Sequence, residues 1–406
     1  MALNLEKIRA QFPVLHQEVN GRPLVYFDNA ATSQKPKMVM DAIAQYYNKE
    51  NSNIHRGVHY LSQLATDKYE KAREAIRRLL NAKAVEEIIF TRGTTEAINL
   101  VANCLTRSLF KPGDEIIISA IEHHSNIVPW QMACEQSGAV LKVIPVLDSG
   151  ELDMEAYKAL LNEKTKFVTV NSISNALGTV NPIEEIIALA HAKGALVLID
   201  GAQSVPHAKV DVQALDADFY CFSAHKMYGP TGVGVLHGKK EILEKMPPYH
   251  GGGEMIKEVT FEGTTYNDLP FKFEGGTPNI AGGIGVEAAV RFMEEVGVEN
   301  IANYEAELLA YALEKLKEIE GVQFIGEAKN RAGLVSFNLK GIHPYDAGTV
   351  LDKLGIAIRT GHHCAQPVMD RFEVPGTMRA SFAVYNTKEE IDVFIAGIHR
   401  VKQMFG

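Results

Sequence analysis

Cysteine is scarce in this chain: four residues in 406, at Cys104, Cys134, Cys221 and Cys364, with no Cys-x-x-Cys pair. That excludes a disulfide scaffold and points to a reducing, cytoplasmic compartment. No run approaches the roughly 20 apolar residues of a membrane span. The opening residues, Met1 to Arg9, alternate apolar and charged side chains and lack the apolar stretch of a signal peptide. Positive charge is not in surplus either. The 41 Lys and Arg face 50 Asp and Glu, a net charge of -9 that argues against nucleic acid or an anionic membrane as partner. No internal repeat or low-complexity segment is visible.

What the chain does have is length and alternation. At 406 residues it exceeds one compact core, so two domains are expected, and its 46% hydrophobic and 22% charged content suits a soluble globular protein. Short apolar runs at 88–90, 116–118, 167–170, 195–199 and 219–223 alternate with helical periodicity at 62–81, 94–107, 126–137 and 183–193. This pattern predicts an α/β fold whose large, mainly parallel sheet is covered by helices. The glycine-rich stretch 229–235 reads as a return from the last of these runs. Residues 250–278 have little periodicity and suggest a lid, a crossing arm or an interface. Helices at 285–297 and 301–318 then lead into a smaller α+β domain with strands at 322–324, 333–337 and 378–382 and helices at 345–354 and 388–404. The expected division is 20–290 for the large domain, with 1–19 and 291–406 forming the small one.

The stretch from Ala195 to Gly238 organises the rest. One apolar run ends on Asp200, followed by Gly201-Ala202-Gln203; the next ends on Ser223-Ala224-His225-Lys226. In an open parallel sheet both ends lie at the edge where ligands bind. A lysine there can carry an aldehyde cofactor, and a carboxylate can hold a pyridine nitrogen protonated. Taken singly, Asp200 could be a helix N-cap and Lys226 a solvated loop lysine; their joint placement favours function. Thr94 and Thr95 open a helix after a strand and suit a phosphate, with Ser223 and His225 completing the cup; plain capping by Gly93 or Thr94 is the alternative. His123-His124 follows a strand to the same edge, where an imidazole can stack on a planar ring and pass protons. Asn175 also follows a strand, and could donate to a ligand or shape a turn. Ala30 and Ala31 are small enough for close backbone approach to a ligand, or for a tight turn. His55-Arg56 alone reads as a solvated loop. In the loop Arg359-Thr360-Gly361-His362-His363-Cys364, adjacent ligands make an awkward metal site, whereas a cysteine flanked by histidine and near Arg359 suits a thiolate. Arg379 suits a substrate carboxylate, or an interdomain ion pair.

Four segments in order, Asp200-Gly201-Ala202-Gln203, Ser223-Ala224-His225-Lys226, Arg359 to Ala365, and Arg379-Ala380-Ser381, together resemble the cysteine desulfurases of the class V aminotransferase superfamily. The Gly361-His362-His363-Cys364-Ala365 loop resembles the SufS branch. The resemblance spans essentially the whole chain and implies a fold type I pyridoxal 5′-phosphate enzyme working as a homodimer on L-cysteine. By that likeness, Lys226 holds the cofactor, Asp200 its pyridine nitrogen and Gln203 its ring oxygen, while His123 stacks on the ring and has a catalytic part. Thr94, Thr95, Ser223 and His225 take the phosphate, with Thr277 from the partner subunit. Ala30, Ala31, Asn175, Arg359 and Arg379 line the substrate pocket, and His55 and Arg56 reach in from the partner. Cys364 takes the substrate sulfur as a persulfide, leaving alanine, and passes it to a small SufE- or SufU-type acceptor for iron–sulfur cluster assembly. His343 is a candidate contact for a zinc-bearing SufU-type acceptor. A selenocysteine lyase on the same scaffold, acting on L-selenocysteine, is the nearest alternative. An ordinary aminotransferase has no use for Cys364, and a non-catalytic scaffold has no use for Lys226 and Asp200.

Overall fold

Each apolar run between residues 88 and 238 becomes a strand of one seven-stranded sheet in the computed structural model, which describes residues 3–405. Met1 and Ala2, the start of the N-terminal stretch, lie outside the described residues, as does Gly406. The strands are β1 (Ile88–Thr91), β2 (Glu115–Ser119), β3 (Val140–Ile144), β4 (Thr165–Asn171), β5 (Leu196–Asp200), β6 (Phe219–Ser223) and β7 (Gly234–Gly238). Their order is β1-β7-β6-β5-β4-β2-β3. The pairs from β6 through to β3 are parallel, whereas β7 runs antiparallel to both β6 and β1.

Alternation along the strands feeds two separate cores. Ile88, Phe90, Ile117, Val197, Ile199, Tyr220 and Phe222 face one side, with α1 (Tyr60–Leu79), α4 (Ile183–His191) and α5 (Ile280–Val296). Ile89, Ile116, Ile118, Leu198, Phe219 and Cys221 face the other, with α2 (Thr94–Ser108) and α3 (Val128–Ser137). Successive side chains on a strand point to opposite faces, so strands covered on both sides read as unbroken apolar runs.

Two departures from expectation involve glycine. The stretch 229–235 does not return as loop alone, because Gly234 opens β7. A Cβ on Gly234 would lie 2.3 Å from the Gly93 Cα, so glycine there marks two backbones in close approach. Likewise α5 begins at Ile280 rather than 285, with Asn279 capping the Gly282 N–H at 2.9 Å. Gly283 lets α5 lie against Tyr69 of α1, where a Cβ would come within 2.6 Å of the ring.

A four-stranded antiparallel sheet follows: β8 (Val322–Phe324), β9 (Leu334–Leu339), β10 (Arg359–Gly361) and β11 (Thr377–Ser381), in the order β8-β9-β11-β10. α6 (Val298–Lys317), α7 (Pro344–Lys353) and α8 (Lys388–Phe405) cover it around Leu308, Phe337, Leu351 and Phe394. Phe12, near the N-terminus, packs with Tyr228, Phe292 and Tyr385, tying the sequence ends together. Residues 250–278 carry a short hairpin, Ile256–Val259 with Thr264–Tyr266. They are anchored by Glu274, which takes both arms of the buried Arg73 at 2.7 and 3.0 Å and the Phe90 N–H at 2.7 Å.

Candidate active site

The C-terminal ends of β5 and β6, the turns after β2 and β4 and the start of α2 meet the β10–β11 edge of the small sheet around a cavity of about 190 Å³. Asp200 closes β5 and is buried, with one carboxylate oxygen accepting from the Ala202 N–H at 2.9 Å. It therefore caps the next turn and also lines the cavity. Burial pushes its carboxyl up, opposed by the Ala202 hydrogen bond and by the charge of Lys226. Lys226 lies in a 3-10 turn just past β6 and shows part of its surface to the cavity. Desolvation lowers its amine to about 8 against the pull of Asp200, with Arg379 and Arg359 adding to the lowering. A lysine so placed has a free amine to attack a carbonyl near neutral pH.

At one end of the cavity α2 begins without a side-chain cap. The Thr94 N–H and hydroxyl both meet the Ser223 hydroxyl at 2.8 Å, and Thr95 and His225 stand beside them. Unpaired N–H groups, hydroxyls and the positive end of the helix dipole make an anion cup. The cup opens into an outer cleft of about 550 Å³. Gln203 donates to the Ala30 carbonyl at 2.8 Å and leaves its buried Oε1 without a partner.

His123 accepts the Ser125 N–H at Nδ1, 3.1 Å away, which places the ring proton on Nε2. Burial and the positive charge of Lys226 lower its pKa to about 3, so the ring is neutral. Opposite, Arg359 and Arg379 sit directly across the β10–β11 pair. Arg379, 2% exposed, donates to the Asn175 carbonyl at 2.7 Å and to Asp28 at 3.2 Å, and keeps its Nε unpartnered. Arg359 approaches the other Asp28 oxygen at 4.0 Å.

Cys364 stands at the mouth, exposed, on a turn in which His363 and Cys364 have φ of 53° and 56°. Left-handed backbone costs about 1–2 kcal/mol per such residue, so the surroundings hold the turn. The His363 ring is buried on Thr377 Oγ1 at 2.7 Å, its carbonyl takes the Asn175 amide at 2.7 Å, and the Cys364 carbonyl takes the His124 N–H at 2.7 Å. The buried His363 and the exposed His362 and Cys364 diverge.

The cavity thus gathers Ala30, Ala31, Thr94, Thr95, His123, Asn175, Asp200, Gln203, Ser223, His225, Lys226, Arg359, Cys364 and Arg379. It does not gather His55, Arg56 or Thr277, the residues expected from a second subunit. In the single chain His55 pairs with Glu70 at 3.0 Å, Arg56 with Glu254 at 3.0 Å, and Thr277 lines a separate cleft with His250 and Gly276. The sequence reading missed Asp28, Ser125, Asn171 and His363. Asp28 carried a usable signal, since it ends the run Leu24–Phe27 as Asp200 ends β5.

The class-V aminotransferase family matches residues 25–394. The chain is 55% identical to a probable cysteine desulfurase of Halalkalibacterium halodurans, covering 100% of this chain and 99% of that one. It is 51% identical to a cysteine desulfurase of Dickeya dadantii, covering 99% and 98%. The crystal structure of the cysteine desulfurase CsdA of Escherichia coli superposes with a TM-score of 0.93 at 40% identity, covering 100% of both chains. The chain therefore belongs to the class-V aminotransferase family, with the fold of the fold type I pyridoxal phosphate enzymes. Within that family the full-length matches place it among the cysteine desulfurases.

Pyridoxal 5′-phosphate, the cofactor of that fold, fits the residues present. The α2 cup suits its phosphate, the lowered amine of Lys226 its aldehyde, and the buried Asp200 a pyridinium. Gln203 lines the cavity beside Asp200.

Proposed function

We propose that this chain converts L-cysteine to L-alanine, holds the released sulfur as a persulfide on Cys364, and passes it to a SufE- or SufU-type acceptor for iron–sulfur cluster assembly. The observation that carries this reading is Cys364, on a held left-handed turn, at the mouth of the cavity that contains Lys226 and Asp200. A transaminase needs no thiol there.

The bound cofactor supplies an electron sink that makes the substrate's α-proton acidic and its sulfur electrophilic. The residues do the rest. Asp200 keeps the pyridine nitrogen protonated, and Gln203 contacts the ring oxygen. Thr94, Thr95, Ser223 and His225 hold the phosphate, joined by Thr277 of the second subunit. Arg379 takes the substrate carboxylate with help from Asn175 and Arg359, which line the cavity with it. Ala30 and Ala31 leave room for the substrate, and the partner's His55 and the partner's Arg56 complete the pocket. Lys226 Nζ, once released, removes the α-proton, while the neutral His123 stacks on the ring and relays protons through Nε2. The Cys364 thiolate then forms an S–S bond to the substrate sulfur as the substrate C–S bond breaks. That electron pair remains on the carbon that, once protonated, becomes the methyl of alanine. With this goes the division expected from the sequence, 20–290 as a large part and 1–19 with 291–406 as a small part that carries the cysteine loop.

The test is mass spectrometry of Cys364 after one turnover, with acceptors added in turn, together with Cys364→Ala. The variant should release no sulfur from L-cysteine and still form alanine from L-selenocysteine. Sulfur release that survives the substitution would sink the persulfide reading, and full activity on both substrates would favour a lyase that needs no thiol.

A further inference from the structure

His124 neighbours His123 yet does not line the cavity, and the mechanism above leaves it without a part. It engages the cysteine loop at two points. Its backbone N–H donates to the Cys364 carbonyl at 2.7 Å, and its Nε2 accepts the Gln366 N–H at 3.0 Å. An Nε2 that accepts places the ring proton on Nδ1. Gln366 is the first residue of the short helix Gln366–Arg371, whose N-cap, Ala365, has no side chain able to cap it. The imidazole therefore caps this helix from a residue far away in sequence, satisfying an N–H that a helix start leaves open. The far end of the helix is tied by Arg371 to Asp148 at 2.6 Å, a pair with side chains 41% and 97% exposed. Arg371 Nε also donates to the Val146 carbonyl at 3.2 Å, and Val368 and Met369 bury the helix against the large core, so the His124 contacts act on its N-terminal end.

We propose that His124 is a positioning residue for the nucleophile: its two-point latch on Cys364 and Gln366 keeps the left-handed turn closed and aims the thiol into the cavity. The inference rests on the desulfurase reading above and deepens it. The latch is anchored from behind. The turn that carries His124 is held by Glu122, which accepts from the Asn126 amide at 2.8 Å and the Asn171 N–H at 2.9 Å, and Trp130 and Thr169 hold Asn126. A rigid wall of the large sheet thus fixes the position of a loop that belongs to the small one.

The test uses the full-length protein. His124→Phe keeps the bulk of the ring and removes the acceptor; His124→Gln removes the ring and keeps an acceptor of similar reach. Alkylation of Cys364 by iodoacetamide, with and without pyridoxal phosphate, reads the loop directly. Single-turnover sulfur loading of Cys364 and the early absorbance change on mixing with L-cysteine separate sulfur transfer from the steps before it. In the Phe variant alkylation should rise about 3-fold or more in both forms, because a loosened loop opens more often. Its sulfur loading should slow about 10-fold or more while the early absorbance change keeps its rate, since a misplaced nucleophile costs only the step it performs. The Gln variant should stay within about 3-fold of wild type, as a retained acceptor keeps the hydrogen bond.

A Phe variant that matches wild type in alkylation and loading overturns the proposal. So does one whose absorbance change and loading slow equally. If the Phe variant does not fold, His124→Leu removes the acceptor with a smaller apolar side chain, and the same expectations apply to it. A wild-type chain that never loads sulfur would refute the desulfurase reading, and the alkylation rates would then decide the latch by themselves.

Discussion

Lys226 and Asp200, which the proposed mechanism uses together, feel opposite effects of one environment. Removal from water lowers the lysine and raises the aspartate, and each partly offsets the other's shift. Below about 8 most of the amine is protonated and only the free fraction attacks. Capture of added pyridoxal phosphate by cofactor-free protein should therefore quicken as pH rises through about 8 and then level off. An ordinary lysine would still be quickening near pH 10. Stopped-flow absorbance checks this, and a rate still climbing above pH 9.5 would contradict it. Asp200→Asn should bind the cofactor and lower turnover at least about 100-fold, because the buried charge on the ring nitrogen is lost. Both residues were legible in the sequence because each ends an apolar run. Asp28 ends one too, but its place between Arg359 and Arg379 depends on a small-sheet register that no local pattern encodes. His363 was legible as a residue and not as a wall, since its burial follows from the left-handed turn.

At the scale of elements, periodicity located the strands and most helices, and glycine misled at the margins. Gly234 and Gly283 looked like loop residues because sequence shows flexibility and hides close approach. Gly234→Ala should force β7 away from the turn that opens α2, destabilising the chain by about 1–3 kcal/mol. Thermal melting should show it, along with weaker cofactor affinity; an unchanged affinity would mean that the cup does not depend on this strand. The arm 250–278 was foreseen as irregular, but its anchor was not. Arg73, 1% exposed, meets Glu274 across two hundred residues of sequence, a pairing no short window contains. Glu274→Ala leaves that guanidinium buried with Glu70 and a carbonyl alone, and should cost about 3–5 kcal/mol by denaturant titration.

At the scale of the molecule, exposed apolar side chains bear on assembly. Phe261 is fully exposed on the hairpin, and Tyr47, Val58 and Tyr60, which flank His55 and Arg56 in sequence, expose large apolar area. Exposed apolar area of this kind marks association surfaces. It agrees with the proposal that His55, Arg56 and Thr277 serve a neighbouring subunit. Chains carrying Lys226→Ala are expected to be inactive, and chains carrying both His55→Ala and Thr277→Ala to be weak. Dissociated and reassembled together they should regain activity, because one site in each mixed pair is then intact. Mixtures no more active than the average of the two parents would show that each chain builds its site unaided. That a second copy is involved was legible only by likeness, for a lone sequence does not say which chain a loop belongs to.

If Cys364 carries the sulfur as proposed, its threshold position, exposed on one side and lining the cavity on the other, also sets how the protein would keep count. A thiol that has taken up one sulfur cannot accept another in the same way until it is unloaded. Without a carrier each site should produce a single burst of alanine and then idle. The chain would then work as a metering valve, passing sulfur in units of one and only on collection.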